Sequence, residues 1–166
     1  MPAEPVRNAW EEQWQTPTFE QLMALQKEQH VALLSTLLER LEAYDGIERS
    51  LIWHGQSWKW TIQYTYAGPD ANEATDPPPM PVAYFVPNPE SPVFCMPLRQ
   101  EHLDQLPMKR LNRFIRDGIR SAKCAVEVHW AKWSPTAMTE VEHLTDLIKR
   151  RHKMLVGAAK AKSGAA

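Results

Sequence analysis

Four cationic side chains lie four, three and four positions apart: Lys109, Arg113, Arg116 and Arg120. A helix over residues 108–119 would align them in one stripe, with apolar residues on its other side. Such a stripe could bind a small anionic ligand or an acidic protein partner. The alternative is a solvated helix face, which any amphipathic helix presents.

A carboxylate and an imidazole form a second candidate site. Glu127 and His129 alternate along a predicted strand over residues 123–132, so both would project from one side, about 7 Å apart. They could share a proton or a metal ion, although chance alternation on an exposed sheet face gives the same pair. His30 falls in the apolar arc of the first predicted helix, where a hydrogen-bonded core histidine is more common than a ligand or base.

Aromatic residues alternate with polar ones over residues 58–66. Their rings could form a stacking platform for bases or sugars. The simpler prediction is that the stripe is core, covered by the first helix, with Tyr64 and Tyr66 nearest to a rim. Trp53 and His54 precede the stripe and could line the edge of a pocket.

These residues must be positioned by helices and strands. Hydrophobic periodicity predicts helices over residues 18–44, 100–105, 108–119 and 135–155. Strands are predicted over residues 49–54, 58–66, 82–86, 93–96 and 123–132. The proline-rich stretch over residues 68–81 predicts a long loop, a further candidate contact surface. The predicted fold class is α+β: an antiparallel sheet of about five strands with N- and C-terminal helices packed on it. An arm (1–17), a single domain (18–156) and a flexible tail (157–166) complete the organisation.

Composition narrows the function classes. A net charge of −1 and a pI of about 6.6 argue against nucleic acid as the main partner. No apolar run reaches membrane-spanning length, and the N-terminus lacks a signal peptide pattern, so a cytoplasmic location is expected. Cys95 and Cys124 lack zinc or redox spacing, and no common catalytic or phosphate-binding motif is present.

Several segments carry a family resemblance: residues 52–55 running into 58–60, then 82–86, 126–130 and 144–149. Across about residues 19–155 the chain resembles the YdhG-like group of uncharacterised bacterial domains. The resemblance implies a frataxin-like α+β sandwich and, for some relatives, a role in iron handling. A frataxin-type acidic ridge is replaced here by dispersed glutamates interleaved with cations: Glu20, Glu28, Glu39 and Glu42 with Lys27 and Arg40.

The expected function is a non-catalytic module that binds a small ligand or a protein. Its candidate contact residues are Lys109, Arg113, Arg116, Arg120, Trp53, His54, Tyr64, Tyr66 and His30. One alternative is a frataxin-like metal (iron) handling protein that uses Glu127 and His129. The other is an enzyme acting on a small anionic ligand in a pocket between sheet and helices. No cofactor is predicted, except iron under the first alternative, and a homodimer is expected from base rates.

Overall fold

The computed structural model describes residues 7–67 and 81–164, with side chains up to residue 158. Most of the predicted 68–81 loop lies outside these ranges.

The chain is α+β, as predicted, with six strands instead of about five. The strands are β1 (Ile47–Trp53), β2 (Trp60–Tyr66), β3 (Ala83–Val86), β4 (Val93–Arg99), β5 (Lys123–Ala125) and β6 (Val128–Trp133). The helices are α1 (Phe19–Ala24), α2 (Glu28–Glu42), α3 (Gln100–Asp104), α4 (Arg113–Arg120) and α5 (Met138–Gly164), and a 3₁₀ turn (Met108–Arg110) precedes α4.

The strands form one antiparallel sheet in the order β1-β2-β3-β4-β6-β5. A row of buried side chains crosses four of them: Ile62, Phe85, Phe94 and Trp133. Leucine, isoleucine and valine side chains of α2, α4 and α5 pack on this row. Burying one such side chain fully contributes about 1.5–3 kcal/mol, so this side, the helix face, supplies most of the apolar stabilisation.

The other side of the sheet is called the open face. Tyr84 and Cys95 project from it and are buried, yet they belong to neither of the two core clusters that contain helix side chains. Residues from α1 and the segment around Trp10 reach only its end, near Val86. Within the described ranges the helices pack through those two clusters, and the middle of the open face lies outside both.

The predicted helix over residues 18–44 is two helices, α1 and α2. Gln26 lies between them, is 7% exposed, and donates from Nε2 to the carbonyl oxygen of Pro87 at 2.9 Å. The break lets Leu22 pack beside Trp60 while α2 packs in the main core. Hydrophobic periodicity predicted one continuous helix because it carries no information about this contact, which joins residues far apart in the sequence.

The predicted strand over residues 123–132 is a hairpin, which supplies the sixth strand. Val126 and Glu127 have φ values of 51° and 64°, and they connect β5 to β6. Positive φ at both central residues is the geometry of a type I′ turn, which strongly favours Asn-Gly. Val-Glu is not a turn signal, so the reversal was not predicted.

The last helix differs from its predicted bounds at both ends. It begins at Met138 and not at Pro135; there the Glu140 carboxylate accepts hydrogen bonds from the backbone nitrogen and hydroxyl of Thr136, at 3.2 and 2.9 Å. It continues to Gly164, beyond the predicted end near residue 155. None of the helices in the described ranges is long and apolar enough to cross a membrane.

Candidate binding surface

The predicted helix over residues 108–119 is interrupted, so the cationic stripe is not continuous. Lys109 lies in the 3₁₀ turn. Asn112 then begins a new helix, its side-chain oxygen accepting from the backbone nitrogen of Phe114 at 2.8 Å. Because Asn is a strong N-cap, the local sequence starts α4 four residues after Lys109.

The three arginines of the stripe remain together on α4. Nε of Arg113 lies 3.5 Å from Oδ2 of Asp117, one turn along. Arg116 is half-buried, and its Nε is buried without a hydrogen-bond partner among the described residues. Arg120 is exposed. The predicted four-cation surface is therefore reduced to three arginines, of which one is paired and one partly buried.

The pair proposed for metal binding is separated by the hairpin. Glu127 lies in the turn, whereas His129 lies on β6, opposite Leu98 of β4 and Cys124 of β5. Glu127 is therefore not part of the strand, and the strand alternation assumed for this pair does not extend to it. Among the described residues, no group of three or more His, Cys, Asp or Glu side chains could hold a metal ion.

The two tyrosines of the aromatic stripe have different environments. Tyr64 is fully buried on the helix face and donates its hydroxyl to Oε1 of Glu42 at 3.1 Å. Burial, reinforced by the Glu42 carboxylate, raises the pKa of Tyr64 well above its ordinary value. The prediction that Tyr64 reaches a rim is therefore wrong. Tyr66 is half-buried, with its ring edge-on to His152 at 5.7 Å.

His30 and Trp53 are both half-buried. His30 lies on α2, as its place in the apolar arc predicted, and its Nδ1 is buried without a hydrogen-bond partner in the part of the chain described. Trp53 ends β1 and packs edge-on against Trp60, with ring centroids 5.7 Å apart. Neither residue contacts the α4 arginines in any observed hydrogen bond or ion pair.

A shallow cavity of about 260 Å³ lies between the end of α3 and α5. Its lining is Gln105, Arg150, Lys153 and Met154. None of the predicted contact residues lines it. The cavity offers two cations but no serine, cysteine, histidine or carboxylate to act as nucleophile or general base.

Four rings come together on the open face: His54, Trp58, Tyr84 and Trp130. The exposed His54 stacks on Trp58 at 4.5 Å, and Tyr84 lies under both. Trp58 and Trp130 are half-buried, with centroids 6.1 Å apart and planes at 82°. Nζ of Lys132 lies 5.4 Å from the centroid of Trp58. We call these five residues the open-face cluster.

The β1–β2 turn places Trp58 in this cluster. Lys59 adopts a φ of 57°, and its backbone nitrogen donates to the carbonyl of Gly55 at 2.7 Å. The indole nitrogen of Trp10 donates to the carbonyl of Trp58 at 3.0 Å, which fixes its backbone. The aromatic alternation had predicted that Trp58 shares the helix face with Trp60. The positive φ of Lys59 interrupts this alternation, so Trp58 lies on the open face instead.

Strand register places the other cluster members. Tyr84 of β3 lies opposite Cys95 of β4, which in turn lies opposite Lys132 of β6. Trp130, two residues before Lys132, therefore shares the face. It lies between Pro97 of β4 and Lys123 of β5.

The charged side chains of the strands on this half of the sheet are cationic, whereas the β5–β6 turn carries the exposed Glu127. Strands β4, β5 and β6 contain three Lys or Arg residues and no Asp or Glu: Arg99, Lys123 and Lys132. Alternation and register place all three on the side of Trp130. An anion approaching Trp130 would meet cations on the strands and no strand carboxylate.

The two buried titratable groups of the face stay neutral at physiological pH. Burial raises the pKa of the Cys95 thiol to about 12, against a small opposing effect of Lys132. Burial also raises the pKa of Tyr84. A thiol held in this form is a poor nucleophile, and neither group offsets the charge of the lysines.

The sequence indicated only part of this cluster. His54 was identified at a pocket edge and Trp58 as core, whereas Tyr84, Trp130 and Lys132 were missed. Tyr84 sits within the continuous apolar run 82–86, where alternation gives no sign of two different faces. The even spacing of Trp130 and Lys132 was a usable signal, but their proximity to Tyr84 follows only from the β3-β4-β6 order.

Comparisons with protein-family models, with curated proteins and with solved structures give no match. The YdhG-like and frataxin-like resemblance, the cytoplasmic location and the homodimer therefore stay predictions.

Proposed function

We propose that this protein is a non-catalytic binding module whose ligand surface is the open-face cluster. The observation that carries the proposal is the group of four rings and one lysine on the open face, of which only Trp58 packs against a core cluster, the one around Trp10. Trp58 and Trp130 are only half-buried, and contiguous apolar surface that stays accessible marks interaction sites. Tryptophan is also the residue most enriched where binding energy concentrates.

The two alternative functions receive less support from the geometry. Metal handling relied on strand alternation of Glu127 and His129, whereas Glu127 lies in the β5–β6 turn with a positive φ. Enzymatic action on a small anion relied on a pocket between sheet and helices. The cavity between α3 and α5 lacks a nucleophile and a carboxylate, and the Cys95 thiol is held protonated.

The proposal is tested by titrating the protein with four probes of different chemistry while tryptophan fluorescence is recorded. The probes are a hexaglutamate peptide, cellohexaose, adenosine monophosphate and a single-stranded oligonucleotide. We expect at least one to bind and to lose at least about tenfold in affinity in Trp130→Ala, since truncating a central aromatic costs more than about 1.4 kcal/mol. Trp14→Ala is the matched control, because Trp14 is 86% exposed and takes part in none of the observed ring pairs of the cluster. Equal binding by Trp130→Ala and the unchanged protein, or no binding by any probe, would refute the proposal.

A further inference from the structure

The ring geometry of the open face limits the shape of its ligand. Trp58 and Trp130 are nearly perpendicular, at 82°, so they cannot enclose one planar molecule between parallel faces. His54 stacks on one face of Trp58, so the ring surfaces open to a ligand are those of the exposed His54 and of Trp130. A ligand that used both would need two planar groups joined by a flexible chain.

The positions of the cations define the linker between those planar groups. Lys123 lies directly across from Trp130 on β5, which places their Cβ atoms about 5 Å apart. Lys132 lies two residues further along β6, about 7 Å away. A flexible chain passing Trp130 would therefore run between two ammonium groups, and negative charge on that chain would be stabilised.

We infer that the ligand of the open face is a single-stranded nucleic acid, whose bases stack on His54 and Trp130 and whose phosphates contact Lys123 and Lys132. The inference rests on the proposed function. Aromatic platforms combined with backbone-tracking cations are how single strands are bound without sequence preference. A duplex is excluded as the preferred form because its bases are already stacked on one another.

The net charge of −1, which argued against nucleic acid at the level of the whole chain, does not describe this face. The strands β4, β5 and β6 carry only cations. A surface with two phosphate contacts predicts a modest salt dependence, with a slope of about −0.7 per contact and so about −1.4 in total. Affinity should fall about sevenfold between about 50 and 200 mM salt.

The test is fluorescence anisotropy with labelled oligo(dT) and oligo(rU) decamers, a blunt DNA duplex, and heparin as a polyanion without bases. We expect at least one decamer to bind, with the duplex and heparin at least about tenfold weaker. Trp130→Ala should weaken binding about 5- to 160-fold by loss of one stacked base. Lys132→Ala should weaken it and reduce the salt slope by about 0.7. Comparing dT with rU separates DNA from RNA as the preferred strand.

Controls distinguish this site from general charge or unfolding. Lys109→Ala removes a cation of the predicted α4 stripe, and Trp14→Ala removes an exposed indole; both should stay within about twofold of the unchanged protein. If Trp130→Ala does not fold, Trp130→Phe and Lys132→Glu replace it. Lys132 is exposed, so Lys132→Glu tests the site without disturbing the core, and it should abolish binding while Trp130→Phe largely retains it.

Three results would overturn the inference. The first is no decamer binding at about 50 mM salt with up to about 100 μM protein. The second is heparin binding as tight as that of the decamers, and the third is a loss in Lys109→Ala equal to that in Lys132→Ala. If hexaglutamate, cellohexaose or adenosine monophosphate binds through Trp130 while both decamers fail, this inference is wrong and the proposed function stands. If no probe binds, both fail.

Discussion

Gly118 is a position where one added methyl group should disturb the fold. It lies on α4 and faces the indole of Trp133 on β6. A Cβ at Gly118 would overlap Nε1 of Trp133 and lie 2.6 Å from its Cδ1. The same indole nitrogen donates to the carbonyls of Phe114 and Ile115 at 3.2 and 3.3 Å. Gly118→Ala therefore displaces a buried ring and breaks its hydrogen bonds to α4.

Whether Gly118→Ala stabilises or destabilises the protein depends on one favourable and two unfavourable contributions to the free energy of unfolding. Replacing glycine by alanine in a helix interior stabilises by about 1 kcal/mol. Overpacking a dense core costs about 1–3 kcal/mol, and an unsatisfied buried indole N–H costs about 1–3 kcal/mol more. Taking the middle of each range, we expect a net loss of about 3 kcal/mol. For a domain of this length that lowers the midpoint of thermal unfolding by about 6–12 °C.

The assay is urea unfolding followed by circular dichroism, because a fluorescence signal would mix the altered Trp133 environment with unfolding. Gly157→Ala is the matched control: Gly157 also lies on a helix, is exposed, and has no atom within 4 Å of an added Cβ. It should gain up to about 1 kcal/mol. A second-site change, Trp133→Phe, should couple favourably to Gly118→Ala by about 1 kcal/mol or more, because without the indole N–H no buried donor is left unsatisfied. The reasoning is refuted if Gly118→Ala is as stable as the unchanged protein while Gly157→Ala behaves as expected.

Three further changes test separate parts of the structure. The double change Val126→Asn with Glu127→Gly should raise the free energy of unfolding, measured by urea titration, by about 2 kcal/mol. Both residues have positive φ, which Asn-Gly accommodates, and Val126 is 94% exposed, so little packing is lost. No gain would show that the turn is unstrained. Burial, together with a neighbouring arginine, lowers the pKa of His102 from 6.5 to about 4. As the pH falls, His102 is therefore protonated in the unfolded chain before it is protonated in the folded protein, so the free energy of unfolding should fall between about pH 6.5 and 4. His102→Gln should remove about 1 kcal/mol of that fall. Parallel pH profiles of stability for His102→Gln and the unchanged protein would contradict this. Tyr64→Phe should cost about 1 kcal/mol by loss of the hydrogen bond to Glu42, and an unchanged urea midpoint would contradict it.

The sequence predicted those elements whose residues carry a local signal. The strand containing Ile62 and Tyr64 was found because alternation is strict there and both side chains reach the core. The break before α2 was missed because Gln26 is held by a carbonyl 61 residues away. The last hairpin was missed because Val126 is a β-branched residue, whose preference for extended backbone conceals a turn.

The candidate surface was harder to predict than the fold because its members are neighbours only across strands. Tyr84 and Lys132 are separated by 48 positions, and they share a face because β4 pairs with β6 and not with β5. A one-residue slip in that register would move Lys132 to the helix face. Hydrophobic periodicity predicts which side chains of a strand share a face, but it does not predict which strands lie beside it in the sheet.

The N-terminal segment connects the stability of the sheet with the arrangement of the open face. The indole of Trp10 is 5% exposed and donates to the carbonyl of Trp58, while the indole of Trp60 donates to the carbonyl of Glu12 at 2.7 Å. Two hydrogen bonds thus join this segment to residues on either side of Lys59, where the backbone leaves the strand conformation. Non-glycine residues with positive φ persist only when surrounding contacts hold them. The docked segment therefore supports the turn that brings Trp58 over Tyr84, and the cluster depends on packing at the end of the sheet as well as on its own ring contacts.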